Sequence, residues 1–501
     1  MFNSLKCTKG SFLCLRQITT VANIDVTTTP SKPFRDVPGP RALPFIGQLY
    51  HFLPGGLLYN LRGSNLHNFL YEKYGPVVKM KGHFGAKDSI LLYDPEVALQ
   101  IYRSENSTPI RIGFFAAQHY KHVVKKEKGE ERKYSGLIFD HEETWREIRT
   151  HVNPVMMQAK SLKPYAEPLD EIAQEAVARM KCIRNENNMI ENNLLEEFMS
   201  YVLEFTGIIA LGRRFHAFDA NIREDSLTRQ LLRNVQDFFA LSDKLDFQPN
   251  LWRYYPNKTF KTAMKFLEDA EKLNEKLLRT AMEELKTNPK PEEKKGVLEK
   301  LAEKNEEVAL AFADDMFFVG VDTLANGIIS VLYLLANNPD KQNKLREEIM
   351  SKESRRPYLR ACIKEAARMR PVAFGNLRLT TTGYNVFDYE IPKDTMVLFC
   401  HEHMSLREDQ FPQPNQFIPE RWLVDKDHPL YHGNAHPSAA VHFGYGARGC
   451  VGRKAADMEM EILISRIIES FRLQWRGKPM PVYQSVSNHN MAPYNFIFND
   501  V

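Results

Sequence analysis

The amino-acid sequence predicts a mainly α protein with small β-sheets, an α+β fold class. Helical periodicity dominates from Glu142 to about Leu335, with apolar residues recurring at the spacing of amphipathic helices. The clearest amphipathic stretches are 165–182, 192–212 and 260–286. Short apolar runs at Val77–Met80 and Ile90–Tyr93 are typical of strands. We therefore expect a helical body with a small sheet near its N-terminal end.

The elements outside this helical region follow from local composition. A helix-like stretch at 66–74 precedes the two strand-like runs, and 479–501 has the pattern of strands and turns. Residues 286–306 are rich in Lys, Glu, Pro and Asn. We interpret this charged stretch as a solvated loop or a frayed helix end.

The N-terminal stretch differs in composition from the rest. Residues 1–24 contain Lys6, Lys9 and Arg16 but no acidic residue, and their apolar stretch is too short to span a bilayer. This composition favours a mitochondrial presequence in 1–35, with a disordered tail as the alternative. The stiff turn Val37–Pro40 then begins the folded part. A chain of 501 residues has room for three domains, but no linker composition follows residue 40, so we expect one domain over 36–501.

Charge and cysteine usage exclude several classes of protein. A net charge of +4 on 501 residues, with no basic patch, argues against nucleic-acid binding. The six cysteines form no CxxC pair, which indicates a reducing compartment and no zinc site. Cys362 and Cys400 have apolar neighbours and are expected in the core.

The stretch Phe443–Gly452 combines one cysteine with four glycines and an arginine. Glycines let the backbone turn tightly and lie against a flat ligand. Val451, Ala455, Met458 and Ile462 recur at helical spacing, which places Cys450 at a helix N-terminus, where the dipole favours the thiolate. A buried structural cysteine is the alternative, but this loop composition suits a core strand poorly. The pattern indicates a metal-bound thiolate, such as the axial ligand of a haem iron.

A second candidate site lies in the long apolar segment 308–335, which holds Gly320, Asp322 and Thr323 in its middle. The Thr323 hydroxyl can bond a carbonyl one turn back, and Gly320 removes bulk, so the helix can bulge and leave a groove for dioxygen. Asp322 and Thr323 are then suited to relay protons. The alternative is that Gly320 only eases helix packing and Asp322 caps a kink.

The cysteine stretch resembles the haem-binding loop of the cytochrome P450 monooxygenases, since Phe443, Gly446, Arg448, Cys450 and Gly452 fill every fixed position of that pattern. The resemblance extends over 37–501 and is strongest to arthropod mitochondrial members. It implies haem b with Cys450 as axial ligand, and a fold with a long distal helix over the haem and a proximal cysteine loop.

The resemblance also implies roles for other residues. Trp145, Arg149, Arg378 and Arg448 match haem-propionate ligands, with His442 a weaker candidate; Glu365, Arg368 and Arg421 match a structural network behind the thiolate loop. In the distal motif Val319 and Leu324 depart from the usual residues, which puts the size of the pocket in question.

Electrons must come from a partner, because no Rossmann or flavin signature occurs in the chain. Arg360, Lys364, Arg453 and Lys454 are expected to form a basic proximal face. The resemblance implies a [2Fe-2S] ferredoxin of the adrenodoxin type with its NADPH-dependent reductase. A peripheral position on the matrix side of the mitochondrial inner membrane follows from the same resemblance and the presequence.

The expected activity is insertion of one atom of O₂ into a lipophilic substrate, either a foreign compound or a steroid or ecdysteroid. The apolar pocket is expected around 105–120, 240–256, 316–323, 373–377 and 490–496. Leu251–Pro256 is expected to dip into a membrane surface or to pack as an ordinary loop. Two other functions stay open: a haem-thiolate isomerase or dehydratase, and a haem protein that sequesters ligands without turnover.

Overall fold

The computed structural model describes residues 31–190, 194–219, 222–288, 291, 295–351 and 355–501, so the predicted presequence lies almost entirely outside the described residues. The predicted mainly α fold with small sheets is confirmed. The α-helices of the described residues are α1 (Gly63–Tyr74), α2 (Pro95–Ser104), α3 (Phe115–His119), α4 (Lys125–Glu127), α5 (Glu142–Met156), α6 (Ala159–Leu162), α7 (Ala166–Ile183), α8 (Leu194–Leu211), α9 (Leu227–Ser242), α10 (Lys258–Thr287), α11 (Val297–Ala302), α12 (Glu306–Asp315), α13 (Val321–Ala336), α14 (Pro339–Met350), α15 (Pro357–Met369), α16 (His401–Ser405) and α17 (Arg453–Ser470).

The strands form one four-stranded sheet and separate two-stranded ribbons. They are β1 (Val77–Met80), β2 (Ser89–Leu92), β3 (Asn376–Leu379), β4 (Tyr384–Val386), β5 (Tyr389–Ile391), β6 (Met396–Phe399), β7 (Phe471–Trp475), β8 (Val482–Gln484), β9 (Asn488–Asn490) and β10 (Phe496–Asp500). The larger sheet has the order β1-β2-β6-β3, in which β2 and β6 run parallel and the other pairs antiparallel. The ribbons pair β4 with β5, β7 with β10 and β8 with β9.

Capping residues explain where several helices begin. Asp94 accepts a hydrogen bond from the Val97 N–H at the start of α2, with Pro95 as the first helical residue. Asn257 and Asn305 cap α10 and α12 in the same way. The predicted helices at 165–182, 192–212 and 260–286 appear within a few residues of their expected bounds, as α7, α8 and α10.

One continuous helix runs from Glu306 to Ala336 through α12, the π-helical turn Met316–Gly320 and α13. Its 31 residues are long and apolar enough to span a membrane, but 72% of its most apolar window is buried by protein. It packs against α8 and α15 within the largest hydrophobic cluster. We therefore assign it as the central core helix.

The prediction of a solvated loop over 286–306 is wrong for its second half. Residues Val297–Ala302 form α11, in which Val297, Leu298 and Leu301 are buried against α8 and α12. These apolar residues share one face of a single helical turn. Because the surrounding residues are mostly charged, the overall composition of the stretch hides so short an amphipathic pattern.

Candidate active site

The Cys450 loop enters α17 through a series of tight turns. Gly444 and Gly446 have φ of +75° and +68°, the left-handed region that glycine adopts without strain. The Cys450 N–H donates to the Phe443 carbonyl oxygen at 2.7 Å, which closes the loop. Helix α17 begins three residues after the cysteine, with Gly452 as its N-cap. The expected position of Cys450 at a helix N-terminus is thus the observed one.

The surroundings of the Cys450 sulfur affect the pKa of its thiol in opposite directions. Burial raises the pKa of the Cys450 thiol, while N–H groups of Gly452 and Arg453 and the guanidiniums of Arg111 and Arg149 lower it. The Cys450 side chain is nevertheless exposed. Among the described residues, Cys362 and Cys400 are buried, and burial raises the pKa of each. The Cys400 thiol donates to the Leu398 carbonyl at 3.6 Å, as a core cysteine would.

Arginines gather on the same side of the loop. The Arg448 guanidinium lies 4.0 Å from the centre of the Trp145 ring. Burial and the charges of Arg111, Arg378 and Arg149 lower the pKa of Arg448 to about 9. The Arg448 side chain donates to three backbone carbonyls, those of Pro109, Leu137 and Asp140. Because these positive charges repel one another, a bound anion would stabilise the cluster.

The predicted propionate ligands differ in how firmly the protein itself holds them. Arg378 is paired with Glu105 at 2.9 Å. Arg149, one helical turn from buried Trp145 on α5, has a buried Nε without a hydrogen-bond partner among the described residues. Orphaned buried donors are rare in proteins. Arg149 is therefore available to an anionic ligand.

These residues fit haem. Arg111, Arg149, Arg378 and Arg448 supply planar donors suited to two carboxylates, and the charges of Arg111 and Arg149 act on the thiol of Cys450. Arg111 was missed by the sequence reasoning, because no spacing relative to another residue distinguishes it. Its only signal was its place in the segment 105–120, expected to line the pocket.

His442 does not supply a charge to this cluster. Burial, with the charges of Arg453 and Arg368, lowers the pKa of His442 to about 4. The imidazole is therefore neutral at physiological pH, and it can offer a propionate at most a neutral hydrogen bond.

The distal motif forms the bulge that its sequence indicated. The π-helical turn Met316–Gly320 immediately precedes α13, and the Thr323 Oγ1 donates to the Val319 carbonyl at 2.7 Å. A Cβ placed on Gly320 would meet no atom within 4 Å, so open space adjoins the bulge. Val319 is half-buried and packs on the core, and Leu324 is buried.

Asp322 is buried beside the same turn. Its Oδ1 accepts from the Asn326 amide at 3.3 Å. Its Oδ2 lies 3.4 Å from the His489 Nδ1, a distance that allows an ion pair. That contact lacks hydrogen-bond geometry, and Oδ2 has no other partner among the described residues. Sequence reasoning missed His489, which lies just outside the expected pocket segment 490–496.

The predicted structural network is assembled in full. Glu365 accepts two hydrogen bonds from Arg368, at 2.8 and 3.0 Å, and one from Arg421 at 2.9 Å. The Trp422 indole N–H donates to the same carboxylate at 2.9 Å. All three charged side chains are 0% exposed. A buried carboxylate between two guanidiniums ties α15 to the segment that precedes the cysteine loop.

The four predicted proximal cations are exposed, and two of them meet carboxylates. Arg360 pairs with Glu461 at 2.7 Å, and Arg453 lies 3.8 Å from Asp457. Lys364 lies over the Trp422 ring. The fourth cation is Lys454, whose positive charge acts to lower the pKa of the Asp457 carboxyl, which burial raises. The face is therefore basic but partly neutralised.

Aromatic side chains of α9 pack against the distal helix and the segment before α3, and together they form an aromatic wall of Phe114, Phe238, Phe239 and Phe318. Phe238 contacts Phe114 at 5.0 Å and Phe318 at 5.2 Å, and Phe239 contacts His489 at 5.5 Å, measured between ring centres. The wall joins the segments 105–120 and 316–323, as expected. Its α9 members, however, lie just before the expected segment 240–256.

The segment Leu251–Pro256 combines packed and exposed aromatics. Trp252 is buried and stacks on Phe260 with ring centres 5.2 Å apart, while its indole N–H donates to the Leu245 carbonyl. Tyr254 and Tyr255 are 61% and 65% exposed. The buried Trp252 agrees with a loop packed by its aromatics, and the exposed Tyr254 and Tyr255 agree with a segment that contacts a membrane surface.

A mainly α fold in which an arginine-ringed cysteine loop is combined with a bulged apolar helix is that of a haem-thiolate enzyme. The sequence profile of the family described as cytochrome P450 matches residues 37–496, and this chain belongs to that family. Cytochrome P450 CYP12A2 of Musca domestica is 32% identical over 483 residues, covering 90% of this chain and 89% of that protein. The protein named probable cytochrome P450 12b2, mitochondrial, of Drosophila melanogaster is 30% identical over 484 residues, covering 93% and 89%.

Solved structures agree in fold. A crystal structure of a cytochrome P450 (CYP102L1) has a TM-score of 0.75 at 16% identity, covering 95% of this chain and 100% of that one. The structure of the cytochrome P450DA heme domain has a TM-score of 0.72 at 15% identity, covering 94% and 98%. At such identities the likeness shows the fold alone.

Membership in the family confirms several predictions. The protein is a monooxygenase of the arthropod mitochondrial type, and its cofactor is haem held by a cysteine thiolate.

Proposed function

We propose that Cys450 is the iron ligand of haem b in a mitochondrial monooxygenase that oxidises a lipophilic substrate with electrons from a ferredoxin. The observation that carries the proposal is the accessible Cys450 thiol among the charges of Arg111 and Arg149 at the start of α17. Dipole and cations both favour the anionic sulfur that iron binds. We take residues 36–501 as one catalytic domain and 1–35 as its presequence.

The arginine cluster would hold the two haem propionates. Arg448 and Trp145 are fixed to each other by their 4.0 Å contact, and Arg149 has a donor to spare. Arg378 is charge-balanced by Glu105 and would bond a propionate with its remaining N–H groups. When bound, haem supplies the iron on which O₂ is reduced.

Thr323 and Asp322 would deliver protons to the reduced dioxygen. The bond from Thr323 to the Val319 carbonyl holds the hydroxyl in one orientation and leaves its lone pairs able to accept from water. Asp322 is the neighbouring group able to gain and lose a proton. The open space at Gly320 is suited to the waters between them.

Arg360, Lys364, Arg453 and Lys454 would receive an acidic [2Fe-2S] ferredoxin of the adrenodoxin type, itself reduced by an NADPH-dependent reductase. Exposed cations beside the thiolate loop support this role, because charge complementarity steers association. The pairs with Glu461 and Asp457 are exposed enough to exchange partners on docking.

A peripheral position on the matrix side of the inner membrane fits the outer surface of α9 and α10. Tyr254 and Tyr255 project beside a groove of about 1140 Å³ lined by Lys258, Lys261 and further lysines of α10. Aromatics for the interface and lysines for anionic headgroups are the usual combination of a membrane-contacting segment. The names of related proteins include the word mitochondrial.

The substrate would be apolar, and aromatic groups would be accommodated, since Phe114, Phe238 and Phe239 form an aromatic wall with Phe318 of the bulge. Foreign lipophiles and steroids or ecdysteroids both suit such a wall. We favour detoxification of foreign compounds on the likeness to arthropod members.

Two measurements test the function. A screen of lipophiles by the spin-state shift of the haem identifies compounds that enter the pocket. Each binder is then given to the enzyme with ferredoxin, reductase and NADPH. Substrate-dependent NADPH oxidation with a hydroxylated product supports the proposal. Product formation without NADPH consumption would indicate an isomerase or dehydratase, and binding without turnover would indicate sequestration.

A further inference from the structure

Strand β9 is fastened to the middle of the distal helix, Glu306–Ala336, by the backbone and the side chain of Asn490. The Asn490 N–H donates to the Asn326 Oδ1 at 2.8 Å, and the Asn490 amide donates to the Asn326 carbonyl at 2.8 Å and the Ser330 Oγ at 3.0 Å. All three residues are buried. A fully bonded buried polar network of this kind fixes the position of the strand against the helix.

This attachment sets the position of the preceding residue, His489. Its Nδ1 lies 3.4 Å from the Asp322 Oδ2, and its Nε2 lies 3.0 Å from the Ser487 Oγ. The side chains of Asp322 and His489 are 6% and 15% exposed, so the histidine is the more accessible member of the pair. The imidazole thus connects the carboxylate to a hydroxyl on the other side of the ring.

One carboxylate oxygen of Asp322, Oδ2, is free to accept a hydrogen bond from the imidazole. Asn326 donates to Oδ1, whereas Oδ2 has no hydrogen-bond donor among the described residues apart from the imidazole at 3.4 Å. A small rotation of either ring or carboxylate would form the bond. A contact that is close but unformed suits a group that binds and releases its partner in turn.

We infer that His489 is a proton-relay residue for oxygen activation, which returns a proton to Asp322 after each transfer. The inference deepens the proposed function and rests on it. As the Nδ1–H proton of the neutral imidazole moves to the Asp322 carboxylate oxygen Oδ2, the Nε2 lone pair accepts a proton from water or from the Ser487 hydroxyl, which is itself reprotonated from solvent. The imidazole stays neutral with its proton now on Nε2, the carboxylate becomes a neutral carboxyl, and ring rotation or tautomer exchange restores the Nδ1–H.

The other ionisable groups around the pair are poor substitutes. Tyr494 donates to the Asn490 carbonyl, and burial with the Asp322 charge raises the pKa of Tyr494 to about 12. Arg370 donates to the Asn490 Oδ1 and stays charged. On the partner strand β8, Tyr483 is bonded to Asp243. Imidazole is the side chain that exchanges protons near neutral pH.

The test uses the holoenzyme with ferredoxin, reductase and NADPH in the absence of substrate, and compares how much O₂ becomes peroxide and how much becomes water. His489→Phe removes both nitrogens. His489→Asn keeps a donor toward Asp322 but cannot pass a proton through a ring. We expect both variants to form water about tenfold more slowly than wild type, with an enlarged solvent isotope effect, below the hundredfold or more that a directly positioned acid contributes. His428→Asn, at an exposed histidine, should match wild type.

Two further measurements keep the outcomes distinct. All variants should retain the absorption of the reduced carbon monoxide complex typical of thiolate ligation; its loss in wild type itself would instead overturn the proposed function. In a double-variant cycle of His489→Phe with Asp322→Asn, the shifts of the thermal unfolding midpoint should be non-additive, since each single change removes the contact between the imidazole and the carboxylate. Additive shifts, or a peroxide share in either His489 variant equal to that of wild type, would overturn the relay.

Discussion

The Thr323 hydroxyl donates a 2.7 Å hydrogen bond to the Val319 carbonyl oxygen, across the point where the π-helical turn passes into α13. A threonine that bonds back four residues weakens the regular helical ladder and stabilises a local bulge. The bulge leaves open space at Gly320. One hydroxyl therefore has two expected roles, one in the shape of the helix and one in proton delivery.

Substitution of Thr323 tests the role in proton delivery. Thr323→Ala should divert most reducing equivalents to hydrogen peroxide while NADPH consumption continues, because the hydroxyl that would hold a proton-delivering water beside the oxygen site is lost. Thr323→Ser keeps the hydroxyl and is the matched control. Peroxide and product are measured per NADPH oxidised. Tightly coupled product formation by the alanine variant would remove Thr323 from the proton path.

Loss of the Glu365 carboxylate should destabilise the enzyme strongly. Glu365→Ala leaves Arg368 and Arg421 buried without their shared partner, a change that typically costs about 3–5 kcal/mol. Glu461→Ala breaks the exposed pair with Arg360 and should cost about 0–1 kcal/mol. The two thermal unfolding midpoints, with haem retention, check the prediction. Equal shifts would show that the buried network contributes little.

Asp246 should give the stability a pH dependence. It accepts from the Ala116 N–H, and burial raises the pKa of Asp246 to about 7 despite the charge of Arg253. An unfolded aspartate titrates near pH ~4. Between these values the folded state holds a proton that the unfolded chain has lost, so stability falls as the pH rises from about 4 to about 7.

The variant Asp246→Asn cannot titrate and should lack that contribution. Unfolding midpoints of wild type and variant, measured across this pH range, should diverge, with wild type losing stability relative to the variant toward neutral pH. A constant difference at every pH would contradict the assigned protonation of Asp246.

The exposed tyrosines should contribute to membrane binding. Replacing Tyr254 and Tyr255 by Ser should weaken sedimentation with vesicles of phosphatidylcholine and cardiolipin, because two interfacial aromatics are lost. Met350→Ser, at a residue 57% exposed on α14, is the control for loss of an exposed apolar side chain. Equal binding by all three proteins would place the membrane contact elsewhere.

Local patterns predicted most of the site. The glycine-rich loop before a helical repeat indicated the position of Cys450, and Gly320 with Thr323 indicated the bulge, because both features depend on neighbouring residues. Glu365 and Arg421 lie far apart in sequence, so their contact was predicted only through the family resemblance.

The remaining features depend on contacts that no local pattern encodes. His489 meets Asp322 only because Asn490 fastens a C-terminal strand onto the distal helix. Arg111 joins the arginine cluster through the path of an irregular segment. Helix α11 was missed since three apolar residues within a charged stretch give too short a period to recognise.

The central claim is that Cys450, and no other cysteine, binds the haem iron. The measurement is the absorption of the dithionite-reduced protein with carbon monoxide, compared for wild type, Cys450→Ala and Cys400→Ala, with Cys400 chosen as a buried cysteine beside the sheet. We predict that the red-shifted band of thiolate ligation persists in Cys400→Ala and is absent from Cys450→Ala. A band that survives removal of Cys450, or that depends on Cys400, would contradict the account.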